Sequence, residues 1–596
     1  MKHRLSPLNP AWLLWPLALL YLATAGKLVQ LQAFPAAERL RATAGKERSR
    51  PIPAMRGRIL DRHGRTMADS LPRWRLILDL KPEERRYTRP DRKYSLEEMG
   101  NEMGLVAELA GISTGGLLGK LLDTNRCYSN IVEGLSQGAA SRIQPLLNAA
   151  RGTGLHLRRM EERVYPQGRS LAHVVGFTTE DEKDLSLIGA CGLERMFDSE
   201  LRKGKSGSLL SRSVARGYGV DLALESLPVQ PAPDLRTFLD AKVGVLLREE
   251  LENLQREHQP DWSCGVVINV EDSTILAIGA LPDFDPNTPG DVPVSEDGQL
   301  IGHGFPGMWP FEPGSTMKPL VVSRALAEGA ISPTQKFSQE SGRWYVRGSK
   351  QPPIRNAQGV PSHSLNWREV LLHSSNIGAG KVGLALGADR LKTALLDWGL
   401  REPSGLPWRD QNVLFPPKVE WKKRPHWTIP AVSMGHQVQT TPLRLAAAYA
   451  ALAGEGKLYS PRLFQNQEKG EGRQVLPGAI AREVRYALQD VVEAPHRAWL
   501  HDPEMEWGGK SGTVQKTHGD QKGQYTSLFV GFTPVENPEW VCVVVADNPK
   551  GKEHYGSKVA GPAVMNVLRR LSEGLAPTSS GPYLERSPFG GMLLSE

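Results

Sequence analysis

At 596 residues, with 40% hydrophobic and 23% charged side chains, the chain can bury several cores and is not disordered as a whole. Its net charge of +8 is concentrated before residue 66, where Arg39, Arg41, Lys46, Arg48, Arg50, Arg56, Arg58, Arg62 and Arg65 outnumber Glu38, Glu47 and Asp61. No zinc-finger, RNP or basic-zipper pattern accompanies it, and the four cysteines form no C-x-x-C, so nucleic-acid binding and a zinc site are both disfavoured.

The first element in chain order is apolar. Residues 11–26 carry no charge, and Lys27 alone interrupts before Phe34. A snorkelling Lys27 lets 11–34 read as a single membrane anchor behind a cytoplasmic tail of residues 1–10. Ala23-Thr24-Ala25 gives the competing reading of a cleaved signal peptide. The flanking charges do not decide between orientations, because more Lys and Arg follow the segment than precede it.

Residues 35–235 mix short β-like runs, such as Trp74 to Leu80, with a helical stretch from Leu96 to Leu122 and Gly-rich turns. Residues 236–575 read as one α/β (α+β) domain. Strand-like runs at Cys264–Val270, Ser527–Phe532 and Trp540–Ala546 bracket helical patterns, so strands from the two ends of the domain are expected to pair. Cys264 and Cys542 open the β-like stretches CGVVINV and CVVVAD and could lie on neighbouring strands; buried free thiols are favoured over a disulfide. Residues 576–596, rich in Pro, Gly and Ser, read as a flexible tail.

Three short motifs carry chemistry. In FEPGSTMKPL, Pro313-Gly314 breaks the chain and Ser315 opens a helical run, placing Lys318 three residues on and on the same face. A serine hydroxyl needs a base to become a nucleophile, and a lysine serves if burial and a second cation lower its pKa. Alone, S-x-x-K is equally a helix cap followed by a solvated lysine. Ser374-Ser375-Asn376 offers a hydroxyl and an amide from one short loop, and Lys510-Ser511-Gly512-Thr513 precedes the strand-like SLFVGF. The order of the three in one domain is what makes coincidence improbable.

With these motifs, RGRILDRHGRTMADS (Arg56 to Ser70), HVVGFT (His173 to Thr178) and GLERMFDSELRKGKSG (Gly192 to Gly207) resemble the signature blocks of class B penicillin-binding proteins, in particular the septal D,D-transpeptidase (penicillin-binding protein 3) type of cell division. The resemblance spans nearly the whole chain. It implies a penicillin-binding transpeptidase domain of the serine β-lactamase-like fold over 236–575, an elongated mixed pedestal over 35–235 and an uncleaved transmembrane helix in the cytoplasmic membrane, with the catalytic domain outside.

By the same resemblance Ser315 is the nucleophile and Lys318 its base. Ser374 and Asn376 relay protons and hold the substrate amide, and Lys510 adds positive potential. Ser511, Gly512 and Thr513 bind the substrate, and the backbone N–H groups of Ser315 and Thr513 form the oxyanion hole. The implied partners are peptidoglycan stem peptides on lipid-linked glycan strands, β-lactams, a polytopic glycan polymerase and other divisome membrane proteins; no cofactor or metal is implied. Asn376 at the third motif position fits the division branch, whereas elongation relatives often carry Asp there. The segment Gly302–Pro310 and the pair Arg355-Asn356 depart from the family pattern. The alternatives are an elongation-type transpeptidase and a non-catalytic penicillin-binding sensor or scaffold. A β-lactamase is disfavoured because no matching Glu-containing loop is seen.

Overall fold

The computed structural model describes residues 18–26, 48–52, 54–181, 186–213, 221–288, 290, 306–348, 351–406, 408, 412–516 and 522–574. These fall into two compact units. The described residues of the smaller come from segments up to 55, from Trp74–Arg158 and from Gly204–Ala232.

In the smaller unit, Tyr128–Leu135 pairs antiparallel with the end of a strand running Thr66–Asp79, longer than the Trp74–Leu80 run that marked it. Helices Leu96–Leu109, Thr114–Leu122 and Gln137–Ala149 share a core with this pair through Leu76, Leu78, Met103, Val106, Leu117 and Ile143. The helical stretch expected to run from Leu96 to Leu122 is two helices, bent by 118° at the break. Gly111 adopts φ +70°, a left-handed stop, and the Ser113 hydroxyl then caps the second helix by accepting from Gly116 N at 3.1 Å. A separate three-stranded antiparallel sheet orders Arg48–Ile52, Gly207–Ser213 and Asp221–Leu227.

The larger unit gathers 56–73, 159–203 and the chain from Pro233 onward. Helix α1 (Ala241–His258) leads into strands β1 (Trp262–Asn269) and β2 (Ile275–Leu281). Helices α2 (Met317–Ala327), α3 (Trp367–Leu372), α4 (Asn376–Leu386), α5 (Pro442–Ala453) and α6 (Gly478–Glu493) follow. Strands β3 (Gly508–Gln515), β4 (Tyr525–Thr533) and β5 (Trp540–Asp547) and helix α7 (Gly561–Ser572) complete it. The sheet order is β2-β1-β5-β4-β3, antiparallel throughout. The expected pairing of strands from the two ends of the domain is present in β1 and β5, where Val266 faces Val543.

Both faces of this sheet are covered, which is why β1 and β5 read as unbroken apolar runs rather than alternating ones. Gly265 admits Leu247 of α1 on one face, and Gly531 admits Val564 and Leu568 of α7. Helix α5, buried at every residue, packs on β1 and β5. Cys542 lies opposite Val267, three residues from Cys264, so the two thiols point to opposite faces and both are free.

The family-like blocks before Pro233 meet inside this unit. Buried Glu194 accepts from Arg56 Nε at 2.6 Å and Arg163 Nε at 2.7 Å, and Arg163 also donates to Ser70 Oγ. Asp61 accepts from the backbone of Ala241 at the start of α1.

Among the described residues no single helix is long and apolar enough to cross a membrane. Residues 18–26 are helical, while the rest of 11–34, the segment 1–10 and the tail 576–596 lie outside the described residues.

Candidate active site

Ser315 sits in a 3-10 turn, Gly314–Thr316, that runs directly into α2. Two buried side chains fix this start: Tyr449 Oη of α5 donates to Thr316 O at 2.8 Å, and Trp398 Nε1 donates to Leu320 O at 3.2 Å. The turn is pinned between two glycine approaches. A Cβ on Gly512 of β3 would stand 2.7 Å from Pro313 O, and one on Gly435, at φ +80°, would stand 2.1 Å from Gly314 O. The edge strand β3 therefore lies against the Ser315 turn, with Thr513 N 3.7 Å from where a side chain on Gly314 would begin.

Lys318 is fully buried at the first turn of α2. Its Nζ donates to Ser374 O at 2.6 Å, Asn376 Oδ1 at 2.8 Å and Ser374 Oγ at 3.2 Å. Lys510, equally buried on β3, donates to the same Ser374 Oγ at 3.0 Å and to Ser511 O at 3.2 Å. No carboxylate joins either amine among the described residues, and burial brings Lys318 down to about 7. Lys510 is pushed well below the usual lysine range by burial and by the neighbouring Lys318 and Arg497. Two full charges on one hydroxyl are unfavourable, so the pair titrates as a unit. Such an arrangement can supply a neutral amine near neutral pH beside a half-exposed serine.

The Ser-Ser-Asn loop joins α3 to α4. Ser374 takes φ +55°, and Ser375 caps α4 by accepting from Gly378 N at 2.8 Å. Asn376 Nδ2 donates to Arg355 O at 2.9 Å. Thr513 Oγ1 accepts from Gly556 N at 2.9 Å, and both Ser511 and Thr513 are partly exposed on β3. The three motifs, distant in the chain, are thus contiguous.

Sequence reasoning missed the supports. Asn356 Oδ1 accepts from Ile377 N at 3.1 Å and lies 3.1 Å from Ser375 Oγ, while its Nδ2 donates to buried Gln339. Asn356 had stood out only as a departure from the family pattern; Gln339 gave no signal. Arg497, buried behind the loop, was also unmarked. His436 Nδ1 lies 3.4 Å from Glu312 Oε2 beside the Ser315 turn. A separate cavity of about 350 Å³, lined by Trp398, Arg444, Tyr459 and Arg473 among others, includes none of the motif residues. Among the described residues no cluster of His, Cys, Asp or Glu could hold a metal ion.

Residues 263–569 match the penicillin binding protein transpeptidase domain, and residues 51–233 match the penicillin-binding protein dimerisation domain. The chain belongs to the class B penicillin-binding proteins. It is a transpeptidase of the penicillin-binding serine acyltransferase class.

Stage V sporulation protein D of Bacillus subtilis is 28% identical over 434 residues, covering 70% of this chain and 64% of that protein. The probable peptidoglycan D,D-transpeptidase PenA of Neisseria gonorrhoeae is 29% identical over 550 residues, 89% of this chain and 87% of the relative. The peptidoglycan D,D-transpeptidase FtsI of Escherichia coli is 27% identical over 436 residues, 70% and 69% of the two chains. Penicillin Binding Protein 2X from Streptococcus thermophilus shares the fold, with a TM-score of 0.70 at 18% identity over 89% of this chain and 80% of that one.

Proposed function

We propose that this class B penicillin-binding protein is a peptidoglycan D,D-transpeptidase that cross-links stem peptides through an acyl-enzyme on Ser315, in septal wall synthesis. The observation that carries the reading is the buried Lys318 amine, three residues from Ser315, bonded to Ser374 and Asn376 and with a pKa near 7.

Ser315 Oγ attacks the penultimate D-alanine carbonyl, its proton passing to the neutral amine of Lys318. The backbone N–H groups of Ser315 and Thr513 receive the oxyanion, and loss of one such donor typically costs about 2.7 to 4 kcal/mol. The tetrahedral centre collapses with cleavage of the peptide C–N bond. Ser374 Oγ, between the two amines, relays the proton to the departing D-alanine nitrogen. An amine of a second stem then attacks the ester, loses its proton by the reverse path and frees Ser315. Ser511 and Thr513 hold the donor's terminal carboxylate. A β-lactam acylates Ser315 by the same first step.

Intact mass of the purified full chain after exposure to benzylpenicillin tests this. A stable adduct in the wild type and none in Ser315→Ala is expected; no adduct on the folded wild type would overturn it.

Support for the septal role comes from Asn376 and from the likeness to FtsI. Depletion in the host should give filaments, and rounded cells would assign the enzyme to elongation instead. We place the chain in the cytoplasmic membrane through 11–34, with 1–10 inside, beside a polytopic glycan polymerase. Retention in the membrane pellet after alkaline carbonate, lost on deleting 11–34, tests the anchor.

A further inference from the structure

Arg497 follows Pro495 and His496 in an irregular 3-10 segment after α6. Its guanidinium is buried and makes two bonds, from Nη1 to Val491 O at 2.9 Å and from Nη2 to Leu372 O at 3.0 Å. Both acceptors are C-terminal carbonyls, Val491 in the last turn of α6 and Leu372 at the last residue of α3. A cation complements a helix C-terminus. Two neutral carbonyls could be satisfied by an amide, however, without burying a charge, and burial alone acts on Arg497, with no carboxylate beside it among the described residues.

Leu372 is two residues before Ser374, the oxygen shared by Lys318 and Lys510. Resting on the acyl-enzyme reading, we propose that Arg497 is a positioning residue for the reaction: by tying the end of α3 to the end of α6 it holds the following loop so that Ser374 Oγ stands between the two lysines.

The groups facing Arg497 are consistent with this role. Lys510 and Lys318 lie on β3 and α2. His373 and His496 stack with ring centroids 6.2 Å apart, and burial followed by Arg497 lowers both, which leaves them uncharged at neutral pH. Glu369 acts on His373 but is engaged in the α3 cap, accepting from Asn366 N at 2.8 Å, and His363 also acts to lower His373. Arg497 itself is brought down only to about 10 by burial and stays charged where the lysines titrate. Its repulsion falls on Lys510, whereas burial alone brings Lys318 down.

The test is the pH–rate profile of benzylpenicillin acylation for the full chain, with Arg497→Met and Arg497→Lys. Loss of the two-pronged donor should release the end of α3 and displace Ser374 Oγ from the two amines, moving the midpoint and slowing acylation at pH 7 about tenfold. Arg497→Lys should keep the wild-type midpoint while lowering the plateau rate, because one ammonium replaces a two-pronged donor. If Arg497→Met does not fold, Arg497→Gln carries the same comparison. An unchanged midpoint in a folded, uncharged variant overturns the proposal and leaves a helix cap. A second readout is the ¹³Cε titration of Lys318 in Ser315→Ala with and without Arg497→Met, which requires no acylation. It still decides for or against Arg497 if the wild type takes no penicillin, a result that by itself would sink only the acyl-enzyme reading.

Discussion

Lys318 and Lys510 donate to the same oxygen, Ser374 Oγ, at 3.2 and 3.0 Å. That sharing is the centre of the site, because a protonated state of both amines is unfavourable where no carboxylate joins them among the described residues. It also fixes the direction of several measurable effects.

In the proposed mechanism acylation depends on the neutral form of Lys318, which burial brings down to about 7. The rate constant for benzylpenicillin acylation should therefore rise with pH through about 7 and level off above it. A stopped-flow series from pH 5.5 to 9 checks this; a flat profile would remove Lys318 as the base. In Lys318→Met the rate at pH 8 should fall by at least about 100-fold.

The same lysine should cost stability. Folded near 7 and unfolded near about 10.4, it binds fewer protons in the native state between those values. The penalty is complete below pH 7 and fades as the pH rises toward about 10. Lys318→Met should then melt a few degrees above the wild type at pH 6, with the gap narrowing by pH 9.5 in paired calorimetric scans.

Asn356 supports the catalytic loop without reaching the lysines, since it bonds Ile377 N and adjoins Ser375. Asn356→Ala should lower acylation about tenfold or more, with a stability loss of about 1 to 3 kcal/mol from the orphaned groups. An unaltered rate in the folded variant would mean that the loop holds its own shape.

Gly435→Ala should be more damaging than its size suggests. The added methyl would overlap Gly314 O on a backbone at φ +80°. Loss of penicillin labelling, or of soluble protein, is expected, whereas Gly359→Ala, where the added carbon meets nothing within 4 Å, should retain labelling despite backbone strain.

Glu194→Ala leaves buried Arg163 without its anion and Arg56 with Asp198 alone. The expected destabilisation is about 3 to 5 kcal/mol, read by chemical denaturation of the larger unit.

The long apolar strands and the order of the three motifs were legible in the sequence because each rests on local pattern: period, flanking turns and spacing. The break at Gly111 was not, since a glycine within a helical pattern reads as tolerable until its left-handed φ is seen. Nor could Arg497, Gln339 or Tyr449 be marked, because each acts on atoms that only the fold brings near. The thiols show the converse: neighbouring strands were foreseeable from Cys264 and Cys542, but the three-residue offset that turns them to opposite faces depends on register.

The pairing of β1 with β5 makes this domain a late finisher. The ribosome delivers Trp262–Asn269 long before Trp540–Asp547, and until the second segment arrives the first has β2 on one side and an open hydrogen-bonding edge on the other. A nascent chain in that interval is a candidate for holding factors, and one that stops before Asp547 carries the same edge permanently. Premature termination anywhere in the last strands should therefore yield an aggregating or degraded product rather than a shortened enzyme.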